Sequence, residues 1–347
     1  MTTLFPPSLR RASSAALACL LLAAAAGSHA QTAGFPNRPI RIIVSSSAGG
    51  FTDAVTRTVA KHMAENIGQA VVVENRPGAG TLIGMSACAK APPDGYTLCL
   101  TDNQSLVYNP LLFTKLPYDP RGDFVGVGGV VRSAGDIIVA HPSAPVSSFQ
   151  ELVSYARSHP NALSFATWGP GSIPAIHYAW ITRQNNVQIT AVPYKGAAPS
   201  FLAVNAGEVN LAYSSVVLAK PAIDAGKVKP IAVTGTRRVP SLPNVPALGE
   251  FNSDPGLPTF WGLYAPAKTP PAVVARLNAE LNKVLRMPVF QDYANTSGMQ
   301  PMDGSVEEFA GYLAQSQATA ARTFQAIGIK PVEAPTDAPA TAPAPQR

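Results

Sequence analysis

Apolar residues along this chain fall into two alternating patterns: short β-branched runs, and longer stretches in which an apolar residue recurs at helical spacing. Residues 40–44 (IRIIV) form an almost continuous apolar run, which is typical of a strand buried in a parallel sheet. A turn with two glycines follows at residues 49–50, and apolar residues then recur every fourth position from Val55 to Ile67. That spacing predicts an amphipathic helix and, with the strand, a first strand–helix unit.

The same alternation continues in two series. Strands at 71–73 and 96–101, with a helix at 81–90 between them, extend the first unit to a βαβαβ series, which requires right-handed crossovers and a parallel core. A second series begins at residue 136. It predicts strands at 136–140, 163–167, 188–192, 209–213 and 229–233, and helices at 148–157, 174–182, 199–206 and 217–225.

The last third of the chain offers one short strand, at 261–265, and two long helices, at 271–285 and 305–327. Because too few strands remain for a third domain, these helices are expected to return to the first one. The predicted fold class is therefore α/β, with two lobes and a ligand cleft between them. The predicted domains are lobe 1 at 31–133 and 258–331, and lobe 2 at 134–257.

Both chain ends are expected to lie outside these lobes. Arg10 and Arg11 precede an apolar run at 15–27 that is shorter than the ~20 residues of a membrane span, and small residues follow it. Residues 1–30 therefore predict a secretory signal peptide and a periplasmic location, by either the general secretory or the twin-arginine route. Residues 332–347 are rich in proline and alanine and predict a disordered tail.

Charge and cysteine content narrow the partners. The formal net charge of +6 is spread thinly, without the basic stripe that nucleic acid binding requires, so no nucleic acid partner is expected. The histidines show no ligand spacing, so neither a metal nor another cofactor is expected. Cys88 and Cys99 would share an oxidising compartment, where a disulfide and a pair of buried thiols are both open alternatives.

Small-residue turns are the candidates for binding. Residues 45–53 (SSSAGGFTD) lie between a buried strand and a helix N-terminus, where backbone N–H groups and the helix dipole favour an anion. No Gly-Lys-Ser/Thr follows, so the turn is not a P-loop, and an ordinary tight turn is the alternative. Residues 75–84 miss the dinucleotide fingerprint by one residue. A further glycine turn at 168–172 would face the first across the cleft.

Catalytic motifs are absent from the sequence, which contains no Gly-x-Ser-x-Gly elbow, Ser-x-x-Lys or His-Glu-x-x-His. A triad of Ser172, His177 and an aspartate is conceivable, although the five-residue spacing places His177 more naturally along the helix that Ser172 begins. We therefore expect no enzyme. A secreted α/β hydrolase and a ligand sensor without transport are the alternatives.

Several strings then resemble one family, the Bug family, which are the periplasmic solute-binding receptors of tripartite tricarboxylate transporters. The similarity extends from about residue 35 to 333. The strings are residues 36–40 (PNRPI), 49–53 (GGFTD), 73–80 (VENRPGAG), 93–98 (PDGYTL), 116–120 (LPYDP), 192–196 (VPYKG) and 232–235 (AVTG).

The resemblance implies a two-lobed periplasmic binding protein of the type II-like kind. Such a receptor is expected to be a monomer that closes on a small organic carboxylate and contacts membrane transporter subunits transiently. It also implies that main-chain donors and bridging waters hold the ligand. Carried over by position, it assigns as ligand-binding residues Ala48, Gly49, Gly50, Phe51, Thr52, Thr101, Asn103, Ser105, Trp168, Gly169, Gly171, Ser172, His177, Lys195, Gly196, Ser214 and Ser215.

Two positions depart from the family pattern. Phe51 and Trp168 stand where smaller residues are usual, so the resemblance implies a pocket with an aromatic face from each lobe. Stacking would then favour an aromatic or apolar carboxylate over citrate. The alternative is that both rings pack beneath their own loops.

Overall fold

The computed structural model describes residues 34–133, 135–169, 172–194, 196–257 and 259–334. The expected signal peptide and most of the expected tail lie outside these residues. Within them, no helix is long and apolar enough to cross a membrane.

Two mixed sheets form the frame of two lobes. In the described part of the chain, the first sheet contains six strands in the order β11-β4-β10-β3-β1-β2, and the second contains five in the order β7-β6-β8-β5-β9. The strands are β1 Ile40–Val44, β2 Val71–Asn75, β3 Thr97–Asp102, β4 Phe124–Ser133, β5 Asp136–Ala140, β6 Ser164–Thr167, β7 Thr190–Pro193, β8 Leu211–Ser215, β9 Lys229–Val233, β10 Phe260–Pro266 and β11 Met299–Pro301.

Helices cover both sheets. Their bounds are α1 Phe51–Ile67, α2 Leu82–Ala89, α3 Asn109–Leu112, α4 Phe149–Ser158, α5 Ile173–Asn185, α6 Ala197–Ala206, α7 Val216–Asp224, α8 Pro271–Leu285, α9 Pro288–Thr296 and α10 Val306–Ile327. The apolar stripe of α1 packs with α8 on one face of the first sheet, and α2 and α10 cover the other. The strands of the first sheet that carry the candidate loops are thus buried on both faces.

The two lobes are joined where strands of the first sheet meet the start of the second. Only two residues separate β4 from β5, and the backbone N–H of Ser133 donates to the carbonyl of Thr259 at 2.8 Å, which ties the two crossings together. Behind them, α10 of the first lobe packs against α5 of the second, whose Ile176 is fully buried in the first-lobe core. The lobes therefore share a hinge and an apolar contact.

Cys88 and Cys99 form a disulfide that links α2 to β3. Of the two alternatives left open by the sequence, the structure has the bonded one. The bridge fixes the helix beside the strand whose carboxyl end reaches the candidate site.

Four of the described elements have no counterpart among those expected from the sequence: β4, α3, α9 and β11. In β4 the glycines interrupt the strand signal, yet a Cβ at Gly126 would come within 2.8 Å of Phe309 and one at Gly128 within 2.9 Å of Leu281. The glycines thus let α8 and α10 pack closely on both sides of this strand.

The parallel core is correct for β1, β2 and β3, whereas β5 and β10 run antiparallel to their neighbours. The reason for β5 is the crossing, since a strand that enters the second sheet from the cleft edge runs against strands that end there. Val332, at the expected start of the tail, pairs with Phe113 of the first lobe in a β-bridge. The expected boundary at residue 332 is corrected accordingly.

Candidate functional site

The loop after β1 presents the most open backbone of the first lobe. Ala48, Gly49 and Gly50 are exposed, and α1 begins directly after Gly50. Within the described residues no side chain caps this helix, so the N–H groups of its first turn face the cleft without a partner from the loop. Such a helix start attracts an anion.

Asp53 holds this loop in place instead of capping the helix. Its buried carboxylate accepts from the N–H of Gly49 at 2.9 Å, from Asn75 Nδ2 at 2.9 Å and from Arg57 Nε at 3.0 Å. Asn75 Nδ2 also donates to the carbonyl of Ser46 at 3.1 Å. The hydrogen bond from Arg57 outweighs the effect of burial, which raises the pKa of Asp53, and the pKa falls to about 2. The loop is therefore fixed before any ligand arrives.

A chain of hydroxyls supports the loop from below. Ser45 Oγ lies 2.8 Å from Thr101 Oγ1, which lies 2.6 Å from Ser105 Oγ, and Ser105 Oγ donates to Thr81 Oγ1 at 2.8 Å. Thr101 and Ser105 are fully buried. In this structure they link β1, β3 and the start of α2, and they present no surface to the cleft.

The end of β3 adds one polar group that the sequence analysis missed, Asp102, next to the assigned Asn103. Residues 104–108 form a π-helical turn, an irregularity that is frequent at functional sites. Asn103 is buried and donates from Nδ2 to the hydroxyl of Tyr108 at 2.8 Å. Asp102, the last residue of β3, is half-buried, and burial raises the pKa of its carboxyl to about 6. Its position after a buried strand is the signal that could have pointed to it.

Of the three second-lobe helices that begin at assigned residues, two are capped by the serine before them. Ser172 caps α5 by accepting from the N–H of Ala175, and Ser215 caps α7 by accepting from the N–H of Leu218. The third, at Gly196, begins α6 without a side-chain cap from the described residues and with a φ of 115°. Gly196 is thus the open helix start on this side.

Both unusual aromatic residues are half-buried and engaged. The ring of Phe51 meets Trp261 edge-on with 4.7 Å between centroids, and Trp261 Nε1 donates to the buried Thr52 Oγ1 at 2.9 Å. The ring of Trp168 meets Tyr213 edge-on at 5.9 Å and donates from Nε1 to Ser200 Oγ at 3.0 Å. Each ring therefore packs locally and keeps part of its surface open.

His177 lies behind this wall. It is almost completely buried, bonds through Nδ1 to the carbonyl of Ile173 at 3.0 Å, and packs 5.0 Å from the ring of Tyr213. Burial lowers its pKa, so the ring is neutral at pH 7. Tyr213 in turn donates to Asp136 at 2.8 Å, and burial raises the pKa of that carboxyl. Asp136 begins β5, so this network reaches the hinge.

The assigned residues thus fall into distinct groups. Exposed or half-buried residues that can meet a ligand directly are Ala48, Gly49, Gly50, Phe51, Trp168, Gly169, Ser172, Gly196 and Ser215. Buried residues that stand behind them are Thr52, Thr101, Asn103, Ser105, His177 and Ser214. Gly171 and Lys195 lie outside the described residues.

A hydrolytic triad is not assembled from the serine and histidine considered above. Ser172 Oγ donates to the carbonyl of Gly169 at 2.7 Å, whereas His177 Nδ1 bonds to its own helix. In the part of the chain that the structure describes, no group of three or more histidine, cysteine, aspartate or glutamate side chains is placed to hold a metal ion.

Comparison with known proteins decides the family. The model of the tripartite tricarboxylate transporter family receptor matches residues 55–329. The chain belongs to this receptor family. The match spans both lobes, so the two-lobed α/β fold and the Bug-family resemblance are confirmed.

Solved structures of similar proteins agree. Rpa4515 of R. palustris with adipate is 31% identical, covers 86% of this chain and 100% of its own, and has a TM-score of 0.75. The periplasmic binding protein BugD is 30% identical with the same coverage and a TM-score of 0.73. MatC of Rhodopseudomonas palustris with bound malate is 30% identical, covers 84% of this chain and 100% of its own, and has a TM-score of 0.70.

Proposed function

We propose that this receptor is a periplasmic, non-enzymatic solute-binding protein that captures a small organic carboxylate between its lobes. The observation that carries the proposal is the start of α1. Its first N–H groups are uncapped, and Asp53 and Asn75 hold the loop before it so that those donors stay available. Two similar receptors with bound adipate and malate support a carboxylate as the ligand class.

The contacts follow from the exposure of each residue. The backbone of residues 48–52 takes the carboxylate, and Gly169, Ser172, Gly196 and Ser215 face it from the second lobe. The buried residues stabilise the two walls of the cleft from behind. They are Thr52, Thr101, Asn103, Ser105, His177 and Ser214. Lys195 and Gly171 complete the second wall in the proposal as the resemblance implies.

The rest of the ligand meets the aromatic rings. Phe51 and Trp168 retain open surface in the cleft, and burying apolar surface there contributes about 25 cal/mol per Å². A carboxylate with an apolar or aromatic body therefore fits this wall better than citrate, whose further charges would lose their hydration.

Export and delivery complete the proposal. The signal peptide at residues 1–30 directs the chain to the periplasm, where it binds as a monomer and contacts membrane transporter subunits transiently. The family membership supports both steps.

Calorimetry with matched ligand pairs tests the function. Purified mature protein is titrated with aliphatic and aromatic carboxylates and with the carboxamide of each. Carboxylates should bind, and their amides should not, because an amide brings no negative charge to the helix start. Equal binding of the amides, or no binding of any carboxylate, would contradict the proposal. Turnover of aryl or acyl esters would favour the hydrolase instead.

A further inference from the structure

Asp102 is an unexpected group in a cleft that takes anions. It ends β3, which lies between β10 and β1 inside the first sheet, and helices cover both faces of that sheet. The preceding Leu100 and Thr101 are fully buried, whereas Asp102 keeps part of its surface open. A residue at the end of an inner strand can reach solvent only at the edge of the sheet, and here that edge is the cleft.

Its neighbours place it close to the expected carboxylate position. Asp102 pairs with Trp261 across the antiparallel β10–β3 ladder, and side chains paired in this way lie about 5 Å apart at Cβ. The same Trp261 packs on Phe51, the first residue of α1. Asp102 and the open helix start therefore share one floor of the cleft.

The carboxylate of Asp102 is poorly satisfied. Oδ1 accepts from the N–H of Gln104 at 3.1 Å, and within the described residues the only other donor to this carboxylate is its own backbone N–H. Asp53, the other acid on this floor, has four polar contacts with Gly49, Arg57 and Asn75. An acid that lacks such partners is expected to obtain them from a ligand.

We propose that Asp102 determines the specificity of the receptor by binding a hydrogen-bond donor of the ligand, an ammonium or a hydroxyl, so that the preferred ligand is a monocarboxylate with such a donor and not a dicarboxylate. This inference rests on the proposed carboxylate binding at α1. The distal carboxylate of a dicarboxylate would meet the like charge of Asp102 without a cation between them. A donor at the same place satisfies the free oxygen.

Within the described residues, no cationic side chain forms an ion pair with Asp102. The charge of Asp102 acts on the titratable groups of Tyr108, Tyr118 and Tyr264, and burial raises the pKa of each, to about 12 for Tyr118. From the second lobe, Asp136 acts on Tyr108. With a pKa of about 6, Asp102 is charged at neutral pH and protonated in mild acid.

Three-membered ligand sets test the proposal on the mature protein. Glutarate is compared with γ-aminobutyrate and γ-hydroxybutyrate, and terephthalate with para-(aminomethyl)benzoate and para-(hydroxymethyl)benzoate. Above the pKa of Asp102, at least one donor ligand should bind roughly tenfold tighter than the matched dicarboxylate, since a hydrogen bond to a charged group contributes about 1.5–3 kcal/mol. The amine and hydroxyl members show which donor is used.

The variant Asp102→Asn isolates the charge, and Asp292→Asn, an exposed aspartate on α9, is the matched control. Asp102→Asn should bring the donor ligand and the dicarboxylate to within about threefold of each other, whereas the control keeps the wild-type ratio. In the wild type the ratio should also shrink as the pH falls below about 6. The same titration with Asp102→Asn removes the contribution of the ligands' own titration.

The outcomes separate this inference from the proposed function. Dicarboxylates that bind as tightly as donor ligands at neutral pH, or a ratio that Asp102→Asn leaves unchanged, would overturn the role of Asp102 and leave carboxylate binding intact. If no carboxylate of either set binds, the proposed function fails and this inference with it. If Asp102→Asn does not fold, the wild-type ratio and its pH dependence decide.

Discussion

The helix starts of the two lobes solve the same backbone problem in different ways. At α1 an acid three residues into the helix turns back to hold the preceding loop, and the first N–H groups stay open. At α5 and α7 the serines before each helix accept from those N–H groups themselves. The starts of α5 and α7 are therefore satisfied by the chain, whereas within the described residues the start of α1 has no side-chain cap.

This difference distinguishes a helix start that is available to an anion from helix starts that stabilise the empty receptor. An uncapped start loses the ~1 kcal/mol that a side-chain cap contributes, and it regains that stability when an anion arrives. A capped start is stable in the empty receptor and offers hydroxyl and carbonyl surface instead. The start of α6 at Gly196, which has no side-chain cap from the described residues, is the exception in the second lobe. Gly196 follows Lys195, which the resemblance assigns to the binding site.

The largest effect is expected from blocking the open start. Gly50 has a φ of −79°, and a Cβ there would lie 3.6 Å from the carbonyl of Ser47, so a larger side chain fits without strain. Gly50→Leu should fold normally and lose measurable carboxylate binding, because its side chain occupies the approach to the N–H groups. Calorimetry gives the affinity.

The control for this variant is Gly311→Leu, since Gly311 is exposed on α10 with nothing within 4 Å of its Cβ position. It should bind like the wild type. Retained affinity in Gly50→Leu would place the carboxylate elsewhere and remove the contrast between the lobes.

Next in size is the disulfide, which stabilises the first lobe only. Replacing Cys88 and Cys99 by alanine should cost about 3 kcal/mol of unfolding free energy by the loop-entropy relation for a loop of this length. Urea denaturation measures it. A loss below about 1 kcal/mol would show that the bridge is dispensable for the stability of the loop's framework.

A smaller effect is expected for Asp53→Asn, which leaves α1 in place and weakens the hold on its loop. Carboxylate affinity should fall by roughly tenfold, the free energy of one charge-assisted hydrogen bond. Amide exchange at Gly49 should accelerate, because its N–H loses the charged acceptor. Unchanged exchange at Gly49 would contradict the positioning role.

The lowered pKa of Asp53 predicts how the difference in unfolding free energy between the wild type and Asp53→Asn depends on pH. The pKa of Asp53 is lowered from 3.8 to about 2, so its contribution to stability is complete above pH 3.8 and is lost as the pH falls through about 2. The difference in unfolding free energy between wild type and Asp53→Asn should therefore be constant above about pH 4 and shrink below it. A difference in unfolding free energy that grows in acid would contradict the lowered pKa of Asp53.

The smallest effect is expected at a capped helix start of the second lobe. Ser215→Ala removes the cap of α7 and should cost about 1 kcal/mol of unfolding free energy, with affinity within about threefold of wild type. Thermal unfolding and calorimetry on the same preparation measure both. A large loss of affinity with little loss of stability would mean that Ser215 is a ligand contact first and a cap second.

Local sequence predicted most of the frame. Burial of apolar side chains explains both the continuous apolar run of β1 and the apolar residue at every fourth position of α1. Both elements form where expected. β4 shows the limit, because Gly126 and Gly128 read as turn residues until the packing of Phe309 and Leu281 explains them. That packing comes from helices far along the chain.

The candidate site divides in the same way. The glycines before α1 indicate an anion turn because the signal is local, in the backbone and the helix dipole. The burial of His177 and of Thr101, the hold of Asp53 on Gly49, and the exposure of Asp102 depend on contacts between distant strands and helices.

By itself, then, the sequence determined the two α/β series, the glycine turn before α1 and the receptor family, since each is written in residues close together or in strings that repeat a known pattern. Only the tertiary structure decided that Cys88 and Cys99 are joined and that, within the described residues, α1 has no side-chain cap and the carboxylate of Asp102 accepts from the N–H of Gln104. The physical reason is that burial and pairing belong to the three-dimensional neighbourhood of a group, and the order of strands β10-β3-β1 brings that neighbourhood together from residues more than two hundred positions apart.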